Sequence, residues 1–490
     1  MNLQFTLKIL SICLTTLLFS GCKTLEFTDA SQQTQTIEPA VISEPLQHSK
    51  PSFYEEIGFC ASESDQVDPE AYSDVWERVQ KQLNFEIPDN RRVRAQKSWY
   101  SSHPSYMKRV TERATPYLFY IVEELEKNDL PLELALLPIV ESAFDPFAYS
   151  HGRASGMWQF IPGTGKNFGL KQNWWYDGRR DVYLSTQSAI QFLKYLNKRF
   201  DGNWLHALAA YNSGEGNVRR AIRKNKKRGK PTDFWSLKLP KETKAYVPKL
   251  LALAEMLSER TNGDENWTPV ANLPVFERVA TESQIDLSLA AALADISMND
   301  FYQLNPAFNH WATSPKGPHY ILLPLEKVET FKENLKTIPQ DQRISYKKYT
   351  IKQGDSLISI ARKFRTTVEL LRENNGIRGN QIRAGKSLLI PVASEARSKY
   401  HKSAAQRLIA SQNTQRKGQK LTITVSEGDS FWDLSRKYKV NIRRLAKWNN
   451  MAPTDPLRIG QKLVVWTEQP QKVASLSSSD RKKLRRFTTR

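Results

Sequence analysis

Glu141-Ser142-Ala143-Phe144-Asp145-Pro146 closes an almost wholly apolar run over 130–140. Gly152-Arg153-Ala154-Ser155-Gly156-Met157-Trp158-Gln159-Phe160-Ile161-Pro162 follows, and Ala210-Tyr211-Asn212-Ser213-Gly214 stands further on. Within the run, Leu132, Leu134, Ala135, Leu136, Leu137, Ile139 and Val140 leave little polar face, which predicts a helix buried on most sides. Asp129 and Pro131 signal its start. Pro138 removes the backbone bond to Leu134 and is expected to kink the helix, and Asp145-Pro146 to stop it. Glu141 then sits at the wet edge of a buried helix, where desolvation disfavours its charged form. Phe144 and Phe147 follow it, and the dipole at a helix C-terminus opposes negative charge. That is the setting of a general acid. The competing reading is a surface glutamate that merely ends a buried helix.

Working outward, helical patterns dominate from Tyr72. Tyr117, Ile121, Val122 and Leu125 share one helical face, a core stripe. Further helices are expected over 184–200, 204–210 and 246–257, which gives a mainly helical domain over 70–262. Pro274-Val275-Phe276-Glu277 opens a region over 263–342 with a helix-like stretch at 287–304 and a strand-like one at 320–324. It has no sharp motif; one reading is a worn copy of the modules after it. Those modules are a plain repeat: Tyr349-Thr350-Ile351-Lys352-Gln353-Gly354-Asp355-Ser356-Leu357 matches Ile423-Thr424-Val425-Ser426-Glu427-Gly428-Asp429-Ser430-Phe431. Each continues to Asn374-Asn375 or Asn449-Asn450 and an apolar strand, which predicts β-α-α-β units over 347–392 and 421–466. A polar, basic linker over 393–420 separates them, so each unit is expected to fold alone.

A chain of 490 residues is too long for one core. No interior stretch approaches the apolar length of a membrane-spanning helix. The formal charge of +21 suits an anionic partner: nucleic acid, an anionic membrane surface or an acidic polymer such as a cell wall. Much of that charge is in linkers and in the basic tail over 467–490, which reads as disordered. The three cysteines make no disulfide framework. Leu17-Leu18-Phe19-Ser20-Gly21-Cys22 ends a short apolar segment over 3–19 and resembles a bacterial lipoprotein signal, which implies a signal peptide over 1–21 and acylation of Cys22. Residues 22–69, rich in Ser, Thr, Gln and Pro, read as a flexible tether. Lys23 in place of aspartate implies an outer-membrane address facing the periplasm, if the source is Gram-negative.

Gly163-Thr164-Gly165-Lys166 lacks the first glycine and the hydroxyl residue of a phosphate loop. Ser155 lacks the glycines of a nucleophile elbow. The seven histidines form no ligand pattern, so no metal and no cofactor is expected. Glycosidic cleavage remains: it needs a proton on the leaving oxygen and, as a rule, a second group to stabilise the oxocarbenium-like centre. Asp145 reads as a turn residue, and Asp177 and Asp181 have no special setting. If Glu141 works alone, a 2-acetamido group on the substrate can supply the nucleophile.

Glu141-Ser142-x-Phe144-x-Pro146-x-Ala148-x-Ser150, Gly156-Met157-Trp158-Gln159-x-x-Pro162-x-Thr164, Ala210-Tyr211-Asn212-Ser213-Gly214-x-Gly216 and Glu242-Thr243-x-x-Tyr246-Val247 resemble, in order, the motifs of the soluble-lytic-transglycosylase domain. The repeats resemble LysM modules, which bind glycans containing N-acetylglucosamine. The resemblance implies a multidomain protein: a mainly α, goose-lysozyme-like catalytic domain followed by small α+β LysM modules. It implies cleavage of the β-1,4 bond between N-acetylmuramic acid and N-acetylglucosamine with 1,6-anhydro ends. The partners would be peptidoglycan strands and, through Cys22, membrane lipid, with no nucleic acid. Glu141 would be acid and then base; Ser150 and Gln159 would line the groove; Tyr211, Asn212 and Tyr246 would hold Glu141 and the sugar. Ile161 departs from the Met of some relatives. A hydrolysing lysozyme and a non-catalytic wall-binding protein are the alternatives.

Overall fold

The structure, a computed structural model, describes residues 72–261 and 263–467. The signal segment, Cys22, the tether and the tail beyond Thr467 lie outside the described residues. Among the described residues no helix is long and apolar enough to cross a membrane.

The first part is helical. Its axis is the Lys241–Ser258 helix, whose Tyr246, Val247, Leu250, Leu251 and Leu253 are buried among the Arg91–Ser101 and Trp204–Ser213 helices. The apolar run does not form one kinked helix. A 3-10 turn, Leu132–Leu136, leads into a short α-helix, Leu137–Ser142, with Pro138 in its first turn. A proline there lacks only an N–H that has no partner in a first turn anyway, so the break falls before it. The helix also ends before Asp145-Pro146: Ala143 and Phe144 both take left-handed backbone, φ 54° each. Their N–H groups bond back to the carbonyls of Ile139 and Pro138 (3.2 Å each), which satisfies the helix end. Phe144 is fully buried, an anchor that offsets the steric cost of its conformation.

Asp177 and Asp181 do have special settings. Asp177 is buried and paired with Arg179 (2.8 Å) and Arg180 (3.1 Å). Asp181 caps the Val182–Arg199 helix and accepts from the hydroxyls of Tyr176 (2.7 Å) and Tyr320 (2.8 Å). Both are structural. The helical part also runs past residue 262. Val75 N–H bonds to the Val270 carbonyl, the Trp76 indole to the Thr268 carbonyl, and Trp76 and Trp267 pack edge to face.

Three β-α-α-β units follow, each closed by a two-stranded antiparallel sheet: Phe276–Ala280 with Tyr320–Pro324, Ser345–Thr350 with Ser387–Val392, and Gln419–Thr424 with Lys462–Thr467. One side chain repeats in all of them. At the end of the second helix, Asn305, Asn375 or Asn449 donates to the carbonyl of a residue in that helix (Phe301, Leu371 or Leu445) and to a closing-strand carbonyl, Leu322, Leu389 or Val464. Its Oδ1 accepts from that strand residue's own N–H, at 2.7–2.8 Å. A side-chain amide thus stands in for a third strand. The second and third units have separate cores. The first is welded to the helical part: Leu304 and Leu322 belong to the helical core, and the Tyr117 hydroxyl donates to the Gln303 carbonyl (2.8 Å).

The basic linker is structured. Tyr400 is buried and donates to Asp286, and the Ala404–Asn413 helix reaches the third unit through Gln412, which donates to Asn449 (2.9 Å).

Candidate active site

A groove of about 480 Å³ opens on the helical part. The structure brings Glu141, Ser150, Gln159, Tyr211, Asn212 and Tyr246 all to its lining. The backbone explains why. The left-handed pair at Ala143 and Phe144 turns the chain sharply after Glu141, and Ser142 Oγ donates to the Met157 carbonyl (2.9 Å), fastening the helix end to the glycine loop. That loop lies close on Asp177-Gly178-Arg179. At Gly156, φ is +83° and a Cβ would fall 1.9 Å from the Arg179 carbonyl oxygen, so only glycine fits. The Arg179 guanidinium donates to the carbonyls of Arg153 and Phe160 from beneath.

Glu141 is partly open to the groove and otherwise packed round by protein. Desolvation pushes its carboxyl up to about 7. The Tyr246 hydroxyl, which donates to Oε1, opposes that rise; Glu242 adds to it and Lys249 subtracts from it. Tyr246 is itself buried, on the Lys241–Ser258 helix. A carboxyl poised near neutrality can give up a proton and take one back.

The other expected residues meet different partners. The Tyr211 hydroxyl donates to the Trp158 carbonyl (2.8 Å), and its ring packs against Phe192. Asn212 accepts from Thr243 (2.8 Å), tying the Trp204–Ser213 helix to the Lys241–Ser258 helix. Ser150 Oγ accepts from the N–H groups of Gly152 (3.2 Å) and Ala154 (3.0 Å), which shapes the loop along the groove. Gln159, at φ +49°, donates to the Gly156 carbonyl (2.7 Å). Of the three residues expected to hold Glu141, Tyr246 is the one that bonds to it. Asp145 makes a turn, accepting from Phe147 N–H (2.9 Å).

Sequence reasoning quoted Glu242 in a motif without giving it a role, and missed its charged neighbour Lys249 and the groove walls Phe192 and His151. The signal was present for the two charged residues: Glu242, Tyr246 and Lys249 are spaced by four and three, one helical face. Ile161, half exposed, lines the groove at its edge.

Comparison with known proteins gives consistent matches along the chain. Residues 119–234 match the transglycosylase SLT domain, 275–340 the LysM-like domain of lytic transglycosylase MltD, and 349–391 and 423–466 the LysM domain. Membrane-bound lytic murein transglycosylase D of Escherichia coli (strain K12) is 38% identical over 400 residues, 79% of this chain and 85% of that protein. A putative tributyltin chloride resistance protein of Alteromonas sp. (strain M-1) is 44% identical over 180 residues, 35% of this chain and 86% of that protein. Among solved structures, the 70 kDa soluble lytic transglycosylase of Escherichia coli is 26% identical where it matches, over 30% of this chain and 24% of that chain, with a TM-score of 0.25.

Proposed function

The chain belongs to the membrane-bound lytic murein transglycosylase D family, and on that premise we propose that it cleaves the β-1,4 bond between N-acetylmuramic acid and N-acetylglucosamine with Glu141 as its acid and base. The observation that carries this reading is a carboxyl held near pH 7 on a groove wall, with one tyrosine donor on its oxygen. Protonated Glu141 gives its proton to the leaving oxygen as the bond to the anomeric carbon breaks. The acetamido oxygen of the N-acetylmuramic acid ring closes on that carbon. The carboxylate left behind is stabilised by the Tyr246 hydroxyl and by Lys249. It then takes the proton of the ring's own 6-hydroxyl, whose oxygen displaces the acetamido group. The product is a 1,6-anhydro end, with no water consumed. Ser150, Gln159, Tyr211 and Asn212 shape the groove that orients the two sugars.

A hydrolytic reading has one observation in its favour. Glu242 lines the same groove, exposed at its rim, and a second carboxylate can direct a water. The ends of the products decide. Mass spectrometry of digested murein is expected to find anhydro ends, lighter by one water and inert to borohydride; mostly reducible ends would establish the hydrolytic route. Around this chemistry, the repeats are assigned to glycan binding and Cys22 to acylation, which gives an outer-membrane lipoprotein facing the periplasm.

A further inference from the structure

A second cleft, of about 900 Å³, lies against the loop that forms the groove. The two share that loop: Ser150, Gly152 and Ala154 line the groove, and Tyr149 lines the cleft. The helical part, the first and second β-α-α-β units, the linker helix and the third unit all contribute to its wall.

Its chemistry is one-sided. Arg179, Arg180, Arg362, Arg407 and Arg458 line it, against one carboxylate, Asp455. Asp455 is already engaged, by Arg153 Nε (2.8 Å) and by the Tyr149 hydroxyl (3.1 Å). Arg179 and Arg180 are paired with Asp177. Among the described residues, Arg362, Arg407 and Arg458 have no carboxylate at ion-pair distance. Arg407 is the deepest of these. It donates to the Lys402 carbonyl and, at 3.4 Å, to Asn309, and it lies over the Phe147 ring at 5.3 Å. Burial and the charge of Arg180 both work against its own charge; Asp177 favours it from a distance but is paired with Arg179 and Arg180, so what Arg407 lacks is an anion of its own. Guanidinium forks match carboxylates in a planar, two-bond geometry.

We propose that this cleft binds the carboxylates of a peptide branch on the glycan that the groove holds, so that the chain prefers peptide-bearing strands to naked ones. The identity of the polymer rests on the reading in the preceding section; the charge imbalance does not. An extended peptide gains about 3.3–3.6 Å per residue, and groove and cleft are lined by neighbouring residues of one loop, Tyr149 and Ser150.

The test uses the full chain carrying Glu141→Gln, which leaves the polymer intact, sedimented with murein and with the same murein stripped of its peptides by an amidase. Peptide-bearing murein is expected to bind on the order of tenfold more tightly. Arg407→Gln should abolish most of that preference. Because Arg407 also packs the linker helix, the pair Arg362→Gln and Arg458→Gln, both at exposed positions, provides a second measurement with the fold intact. Raising the salt should narrow the preference. Equal binding to both polymers, or a preference unchanged in both variants, overturns the proposal alone; binding to neither overturns it together with the polymer reading. Displacement by a short DNA duplex without any preference between the two mureins would assign the cleft to phosphate polymers instead.

Discussion

Glu141 is governed by one hydroxyl and two charges. Burial raises its carboxyl; Tyr246 and Lys249 favour the anion, and Glu242 disfavours it. Activity that needs a protonated acid should therefore fall as pH rises through about 7. Tyr246→Phe and Lys249→Met should move that alkaline limb to higher pH and Glu242→Gln to lower pH, read as kcat/KM on soluble murein fragments. A limb unmoved by all three would remove Glu141 from the role. Glu141→Gln should lower the rate by about 10³-fold or more, yet it should make the fold more tolerant of alkali. The native state holds the Glu141 proton more tightly than the unfolded chain does. That stabilisation is complete below the ordinary carboxyl range and is lost as pH rises through about 7. Urea unfolding at pH 8 should then find the glutamine variant more stable, by roughly 1–3 kcal/mol. The glutamate itself was legible, because an apolar run ending in one carboxyl is a local pattern. Its partner Tyr246, 105 residues away, was reached only through a motif.

At the scale of elements, the three asparagine clips explain why two modules were plain in the sequence and the first was not. Asn375 and Asn449 come with a Gly-Asp turn whose aspartate caps it, accepting from Lys352 N–H (2.8 Å) or Ser426 N–H (2.7 Å). In the first unit Asp286 caps the opening helix without that turn, so the repeat has no visible start. Asn305 in Leu304-Asn305-Pro306 was the surviving mark. Asn449→Ala and Asn305→Ala should each cost about 2–4 kcal/mol, since the N–H and the carbonyl of a closing-strand residue are left unpaired in buried surroundings. Asn375→Ala, in a more exposed clip, should cost less. Urea midpoints of the single variants check the order. Periodicity likewise could not tell the 3-10 turn at Leu132–Leu136 from α-helix, because both bury the same leucines.

Across the whole molecule, the helical part and the first β-α-α-β unit are one folding body. Tyr320 reaches Asp181, Asn309 N–H bonds to the Trp175 carbonyl (2.7 Å), and Leu304 and Leu322 complete the helical core. A fragment over 72–262, the boundary the helical pattern suggests, should be insoluble or readily proteolysed, whereas one over 72–342 should unfold cooperatively. Equal protease resistance in the two would contradict this. Pairings of this kind, far apart along the chain, leave no local periodicity to read. The helical class, the order of units and the groove motifs were legible because each is written in one short segment.

The clips also differ in chemical lifetime. Asparagine side chains age when the next backbone nitrogen attacks the amide carbon, and a following glycine obstructs that attack least. Asn305 precedes Pro306, which has no N–H to attack with, and Asn449 precedes Asn450. Asn375 alone precedes a glycine, Gly376. Its amide is pinned by three hydrogen bonds while the second unit is closed, so ageing there proceeds through openings of that unit. Conversion to aspartate would take away the two N–H bonds and set a carboxylate against two carbonyl oxygens. The second module therefore carries a molecular clock that the other two clips lack, and its closure is the one expected to loosen first with age.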